Sequence, residues 1–259
     1  MAVDYAKLLA KIDRPPSGPN WVRFVHDDVV RTTKSIVSFV KGAPPFTYAP
    51  GYAAIKDRLQ LGIEMGTALK AVQRVGPPAG RKQNEELVMS FFEHDQARGY
   101  AARNAVEFER EVFRISRDIA VPVAPLSIIR ERGQFLPLFV CGWSEVKLNE
   151  HQRRLLVTIC EDAFLSLTDY QKSPAEFLFF PKTDDGAETK RRAEVWHRGD
   201  YRLLTDRELS EAVEVFLEAR EAARAIILKE MAEAARRKPV EDEVPSVHAE
   251  RDLLSFDDD

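Results

Sequence analysis

One set of potentially reactive side chains lies in the segment Trp143-Ser-Glu-Val-Lys147, which places Glu145 and Lys147 two residues apart. A carboxylate can hold a divalent cation and a neighbouring amine can act on water, so this triplet suits metal-dependent hydrolysis. The segment follows a predicted strand and precedes a predicted helix. A solvated loop between strand and helix is the alternative interpretation, and both stay open at this stage.

The order of predicted elements around this triplet resembles the core of the PD-(D/E)XK nuclease superfamily over roughly residues 84–198. The resemblance implies two carboxylates on Mg²⁺, a lysine near the attacking water, and DNA or RNA as substrate. The chain departs from the pattern because the preceding strand offers Ser-Ile-Ile at 127–129 where an aspartate is expected. Asp118, at the start of that strand, completes the candidate catalytic set with Glu145 and Lys147. An active and a degenerate, inactive member are both open.

Other short motifs fail on their spacing. In the Gly-Trp-Ser-Glu-Val segment, Val146 stands where a serine nucleophile elbow needs a second glycine. Adjacent residues on a helix point in different directions, so Glu93, His94 and Asp95 cannot chelate one metal. Cys141 and Cys160 form no Cys-x-x-Cys pair and are expected to be buried free thiols. The sequence therefore predicts no metal site and no cofactor outside the Mg²⁺ that the nuclease alternative requires.

The C-terminal segment, residues 239–259, is acidic and has no core-forming pattern, so we expect it to be disordered. Near its end, Leu253, Leu254 and Phe256 lie among acids that include Asp257. Apolar anchors flanked by charges suit a peptide that docks in an apolar pocket with a basic rim. The segment resembles the acidic tips of bacterial single-strand DNA-binding proteins, although those end on the aromatic residue. A purely solubilising tail is the alternative.

Composition limits the classes of partner. The 259 residues carry 38 Lys and Arg against 42 Asp and Glu, a formal net charge of -4. Broad binding to phosphate backbones needs a concentrated positive surface, so nucleic acid is a possible but not a favoured partner. The N-terminus does not resemble a signal peptide, and no apolar run approaches the roughly 18–20 residues of a membrane span. We therefore expect a soluble cytoplasmic protein that does not bind a membrane.

Hydrophobic periodicity and capping residues predict the elements that position these candidates. Helices are predicted over 3–12, 21–41, 52–74 and 84–117, the last divided at Gly99 or continuous, and a β-hairpin over 119–129 and 134–141. Asn149 with Gln152, and Thr205 with Glu208, have the spacing of capping boxes that begin two further helices, the second of which runs to about residue 238. Short strands are predicted at 176–180 and 193–197.

The sequence thus predicts an α+β fold in which a helix-rich N-terminal half (1–118) is followed by a β-β-α-β-β unit with a long helix (119–238) and the acidic tail (239–259). We expect the first two parts to form one compact domain around a small sheet of about four strands. The predicted function is that of a non-enzymatic binding or adaptor protein, which engages a protein partner through its C-terminal helix and tail. The alternative is the active or degenerate nuclease.

Overall fold

The computed structural model describes residues 3–42, 46–75, 78–184 and 189–237. In these ranges the helices are α1 (Tyr5–Asp13), α2 (Gly18–Val22), α3 (Val29–Lys41), α4 (Ala49–Leu61), α5 (Met65–Arg74), α6 (Arg81–Arg98), α7 (Glu150–Cys160) and α8 (Asp206–Arg237), with one π-helical turn (Glu161–Leu165) directly after α7. The strands are β1 (Ala105–Val106), β2 (Glu111–Arg114), β3 (Ala120–Val123), β4 (Ser127–Glu131), β5 (Gln134–Cys141), β6 (Glu176–Phe179), β7 (Lys182–Asp184), β8 (Thr189–Arg191) and β9 (Glu194–His197). This architecture confirms the predicted α+β class.

A mixed sheet of five strands, in the order β1-β4-β5-β6-β9, forms the centre of the fold. Strands β4 and β5 are an antiparallel hairpin, whereas β5 and β6 are parallel, with Leu138 opposite Glu176 and Cys141 opposite Phe179. A parallel pair needs a crossover connection, which α7 and the π-helical turn provide. The sheet therefore has one strand more than the sequence predicts, because the two-residue strand β1 pairs with β4.

Successive residues of a strand point to opposite sides of a sheet. Because the strands carry apolar side chains on both sides, helices cover both faces of this sheet. On one face, α4 and α6 pack on the sheet through a cluster of buried side chains that comprises Ile55, Leu59, Leu87, Phe91, Tyr100, Ile129, Leu136, Leu138, Leu178 and Phe180. On the other face, α7 packs on strand residues that include Ile128, Phe139, Phe177, Phe179 and Trp196. The same large cluster continues into α1, α2, α3 and α8, so one core joins the sheet to the C-terminal helix.

Both predicted capping boxes are present. The Asn149 side chain accepts from the Gln152 backbone N–H at 2.8 Å, and the Gln152 side chain accepts from the Asn149 N–H at 3.1 Å. At the start of α8, the Thr205 N–H donates to the Glu208 carboxylate at 2.8 Å. These contacts satisfy N–H groups that have no partner inside the helix.

The two long N-terminal helices predicted at 21–41 and 52–74 are each broken in the structure. The first becomes α2 and α3, because Asp28 caps α3 by accepting from the Arg31 N–H at 2.7 Å. The second becomes α4 and α5, because Gly62 ends α4 in the left-handed conformation at φ 71°. A left-handed glycine at this position is a common helix terminator, so the predicted continuous helix was wrong.

The helical prediction for the second half of 84–117 was also wrong. Helix α6 ends at Arg98, and the chain then forms β1 and β2, of which β2 pairs with β3 in a separate two-stranded sheet. The predicted strand 119–129 is likewise divided into β3 and β4. The division into 1–118 and 119–238 stays a prediction, although strand pairs β1–β4 and β2–β3 cross it.

Candidate functional site

The predicted catalytic pair lies in the loop between β5 and α7. Glu145 and Lys147 form an ion pair with each other, and their side chains are 59% and 76% exposed. Both side chains are therefore solvated, and the pair lies in the strand–helix loop that the sequence offered as the alternative interpretation. An ion pair this exposed contributes little to stability. The observed location agrees with the predicted position between a strand and a helix. The predicted role of the two residues in metal-dependent hydrolysis stays a prediction.

Asp118 lies in the turn between β2 and β3, where it is exposed and its backbone N–H donates to the Ser116 hydroxyl at 3.3 Å. Within the described ranges, no group of three or more His, Cys, Asp or Glu side chains is arranged to hold a metal ion. The nuclease alternative therefore gains no metal centre from this geometry and remains a prediction. Mg²⁺- or Mn²⁺-dependent cleavage of DNA or RNA that is lost in Lys147→Ala would establish it.

The predicted docking residues Leu253, Leu254, Phe256 and Asp257, with the whole segment 239–259, lie outside the described residues. The structure does describe α8, the element that leads into this segment. Of the predicted interaction site, the structure therefore describes the last turns of α8.

Helix α8 is held along most of its length by α3 and α1. Ala219, Ala223 and Ile227 are fully buried, and the Thr33 hydroxyl of α3 is 3.4 Å from the Ala219 carbonyl. The small side chains of Ala219 and Ala223 let the two helices approach closely. On the α1 side, Arg220 and Arg224 both bind the Asp13 carboxylate, at 2.5 and 2.8 Å.

Beyond Ile227, α8 continues to Arg237, and none of its described side chains there is buried. Leu228 and Met231 are each 39% exposed, and the described side chains from 228 to 236 are all exposed or half-buried. Glu230 keeps one contact with the body, an ion pair to Lys41 at 2.7 Å. The helix thus carries two apolar side chains past the end of its own packing, and basic residues such as Lys229 and Arg236 lie beside them. We call residues 228–237 the α8 tip.

A buried arginine closes the end of the sheet at which β5 and β6 terminate. The Arg191 guanidinium donates to the carbonyl of Phe180 at 2.7 Å, to Gly142 at 3.0 Å and to Trp143 at 3.3 Å. It also donates to the Tyr48 hydroxyl at 2.7 Å. The carboxyl ends of parallel strands often form ligand sites, but here the protein's own guanidinium occupies the position.

A second polar cluster lies at the opposite end of β6, around the buried carboxylate of Glu176. Arg98 donates to it at 3.0 Å and Tyr100 donates its hydroxyl to the other carboxylate oxygen. Arg98 also binds Glu131 at 3.1 Å, and His94 is 3.1 Å from the Tyr100 hydroxyl. Burial and the hydrogen bond to Glu176 raise the pKa of Tyr100. Because every Glu176 oxygen has a protein donor, this cluster fastens α6 to the sheet rather than offering a free reactive group.

Sequence reasoning missed both polar clusters. The available signal was a charged residue at the border of an apolar strand, as with Glu176 before Phe-Leu-Phe-Phe, because a buried carboxylate needs partners. Cys141 and Cys160 are free and buried, as predicted. Among the helices in the described ranges, none combines the length and hydrophobicity that crossing a bilayer requires.

Comparisons with protein-family models, with curated proteins and with solved structures each gave no match to this chain.

Proposed function

We propose that this chain is a non-enzymatic binding or adaptor protein, which engages a protein partner through the α8 tip and the acidic segment that follows it. The observation that supports the proposal most is the exposure of Leu228 and Met231, which lie on α8 beyond Ile227, the last buried side chain described in the helix. A helix of ten residues is about 15 Å long, which is enough to lay two turns into a groove on a partner.

The residues of the tip and of the segment after it indicate which surface the partner needs. The tip carries Lys229 and Arg236, and the segment after it is acidic and contains Leu253, Leu254 and Phe256. A partner that uses both parts needs an apolar groove for the helix and, further along, an apolar pocket with a basic rim. Two linked contacts on one chain strengthen each other, because the second forms at a high effective concentration once the first is made.

The cytoplasm is the compartment that we propose for this interaction. Both cysteines are free, and burial raises the pKa of the Cys141 thiol to about 12. A chain that uses no disulfide suits a reducing compartment.

The experiment compares three forms of the chain as baits for proteins of the source organism. They are the full chain, a chain that ends at Lys238, and the full chain with Leu228→Glu and Met231→Glu. Leu61→Glu serves as the matched control, because Leu61 is 61% exposed at the end of α4, on the other side of the sheet. Captured proteins are identified by mass spectrometry, and direct binding is then measured with the purified partner.

We expect one partner to bind the full chain and the Leu61→Glu control, and to be lost or weakened at least tenfold in both other forms. A loss only on truncation at Lys238 would restrict the site to the acidic segment. Identical sets of proteins for all four baits would contradict the proposal.

A further inference from the structure

An open cleft that is separate from the α8 tip lies where the π-helical turn meets β2 and the loop after the turn. Its volume is about 330 Å³. The walls are apolar and aromatic side chains of two chain segments, and the rim carries carboxylates. The lining residues are Phe108, Glu109 and Glu111 of one segment and Phe164, Leu167, Thr168, Asp169 and Tyr170 of the other. Ligand pockets begin at roughly this size, so the cleft suits a single side chain rather than a large ligand.

The π-helical turn shapes this cleft. Its residues Phe164 and Leu165 are both buried, while Leu167, just after the turn, is 38% exposed at the mouth of the cleft. Single π-helical turns are rare and are found mostly at functional sites.

Aromatic rings make the floor and one wall rigid. The rings of Phe164 and Tyr170 are stacked with centroids 4.9 Å apart, and Phe108 meets Phe164 edge-on at 5.9 Å. Phe135 packs edge-on against Tyr170 from behind at 5.7 Å. Tyr170 and Phe108 are only half-buried, so part of each ring is available to an occupant.

The rim carries three carboxylates that have no ion-pair partner in the described part of the chain. Throughout the described part of the chain, no ion pair or hydrogen bond is made by the carboxylates of Glu109, Glu111 or Asp169. Burial, followed by the charge of Asp169, raises the pKa of Tyr170, as expected for a phenol in a negative environment. A neutral apolar occupant would bury the edge of these carboxylates without compensation, whereas a cation would pair with them.

We infer that this cleft binds an arginine or lysine side chain of a basic segment of a partner protein. The aliphatic stem contacts Leu167 and Phe108, the cationic head lies against the Tyr170 ring, and the three carboxylates surround it. A cation over an aromatic face within about 6 Å gains on the order of 0.5–2 kcal/mol, and a nearby carboxylate adds to this. This site does not depend on the function proposed for the α8 tip.

The test uses the ¹⁵N-labelled full chain and two small peptides, followed by NMR. The probe is acetyl-Gly-Arg-Gly-amide, and its match is the same peptide with citrulline, which is nearly isosteric and uncharged. We expect the arginine peptide to shift amide signals of residues 108–111 and 164–170 with a millimolar dissociation constant that rises with salt, and the citrulline peptide to cause at least tenfold smaller shifts.

Two variants separate charge from aromatic contact. Glu109→Gln/Glu111→Gln/Asp169→Asn removes the rim charge, and Phe108→Leu removes one ring while keeping an apolar wall. The matched control, Glu64→Gln/Glu93→Gln/Glu214→Gln, removes the same net charge from exposed positions elsewhere in the fold. Tenfold weaker binding of the arginine peptide to the rim variant, with unchanged binding to the control, would support the site.

Three results would overturn the inference. They are equal shifts with arginine and citrulline, an equal loss of binding in the rim and control variants, and shifts confined to residues outside the cleft. Tighter binding of tetramethylammonium than of the arginine peptide would assign the cleft to a small organic cation and overturn its assignment to a protein partner.

Discussion

Replacement of Arg191 by methionine tests how the C-terminal ends of β5 and β6 are held. The Arg191 side chain is 1% exposed and its guanidinium satisfies three backbone carbonyls and one hydroxyl. Methionine is unbranched and adapts to the space left by the arginine stem, so the substitution removes hydrogen bonds more than volume. Each buried acceptor left without a donor costs about 1–3 kcal/mol.

The expected loss in the free energy of unfolding is about 3–5 kcal/mol, the lower part of the range that three carbonyls without a donor would give together. Three unsatisfied carbonyls at the upper limit would give more, but local relaxation and entry of water reduce the sum. Lys182→Met is the matched control. The Arg191 Nε lies 3.6 Å from the Glu86 carboxylate, and Lys182 binds the same carboxylate at 2.8 Å while its side chain is 33% exposed. Such a pair contributes about 0–1 kcal/mol.

Urea denaturation followed by tryptophan fluorescence measures both variants. A domain of this kind has a total stability of about 5–15 kcal/mol, so Arg191→Met is expected to unfold at a much lower urea concentration and the control near the wild-type midpoint. A loss below about 1 kcal/mol in Arg191→Met, or equal losses in the two variants, would refute the role given to this guanidinium.

Three further predictions concern local geometry and titration. Gly62→Ala is expected to lower the melting temperature, because alanine at φ 71° costs about 1–2 kcal/mol. Gly66 lies in α5 with open space around it, so Gly66→Ala should raise the melting temperature through a gain in stability of up to about 1 kcal/mol. The Glu208 pKa is lowered from 4.5 to about 2 by its hydrogen bond to Arg154, so its stabilisation is present above about pH 4.5 and is lost as the pH falls towards 2. The unfolding midpoints of wild type and Glu208→Gln, measured from pH 6 to 2, should therefore converge at the acid end. Burial raises the pKa of Cys141 to about 12, so a thiol reagent should modify it in denaturant but not in the native protein.

Elements whose signals are local were predicted well. The start of α7 at Asn149 and of α8 at Thr205 required only residues within one helical turn, and both capping contacts are present. The helix predicted over segment 105–114 was wrong for two reasons. Val106 of β1 pairs with Ile128, which lies far along the chain, whereas Phe113 of β2 pairs with Val121 in a local hairpin whose first strand the predicted helix covered. Alternating Glu and Arg residues around it also suit an exposed helix, so composition alone favoured the wrong element.

The same distinction between local signals and tertiary contacts applies to the candidate sites. The sequence predicted α8 itself, to about residue 238, but the structure was needed to show that its packing ends at Ile227, which is buried, while Leu228 and Met231 are exposed. The aromatic cleft was not predictable, because it joins Phe108, Phe164 and Tyr170 from segments that meet only when β2 packs on the π-helical turn. A π-helical turn also has no reliable signature in a single sequence.

The most direct test of the proposed adaptor function is the dissociation constant of the purified partner for the full chain and for the chain ending at Lys238, measured by calorimetry in one buffer. Far-ultraviolet circular dichroism of both forms verifies that the body is folded. The account predicts that truncation weakens binding at least tenfold and that Leu228→Glu/Met231→Glu in the full chain does the same. Equal dissociation constants for all three forms would contradict it and direct attention to the folded body.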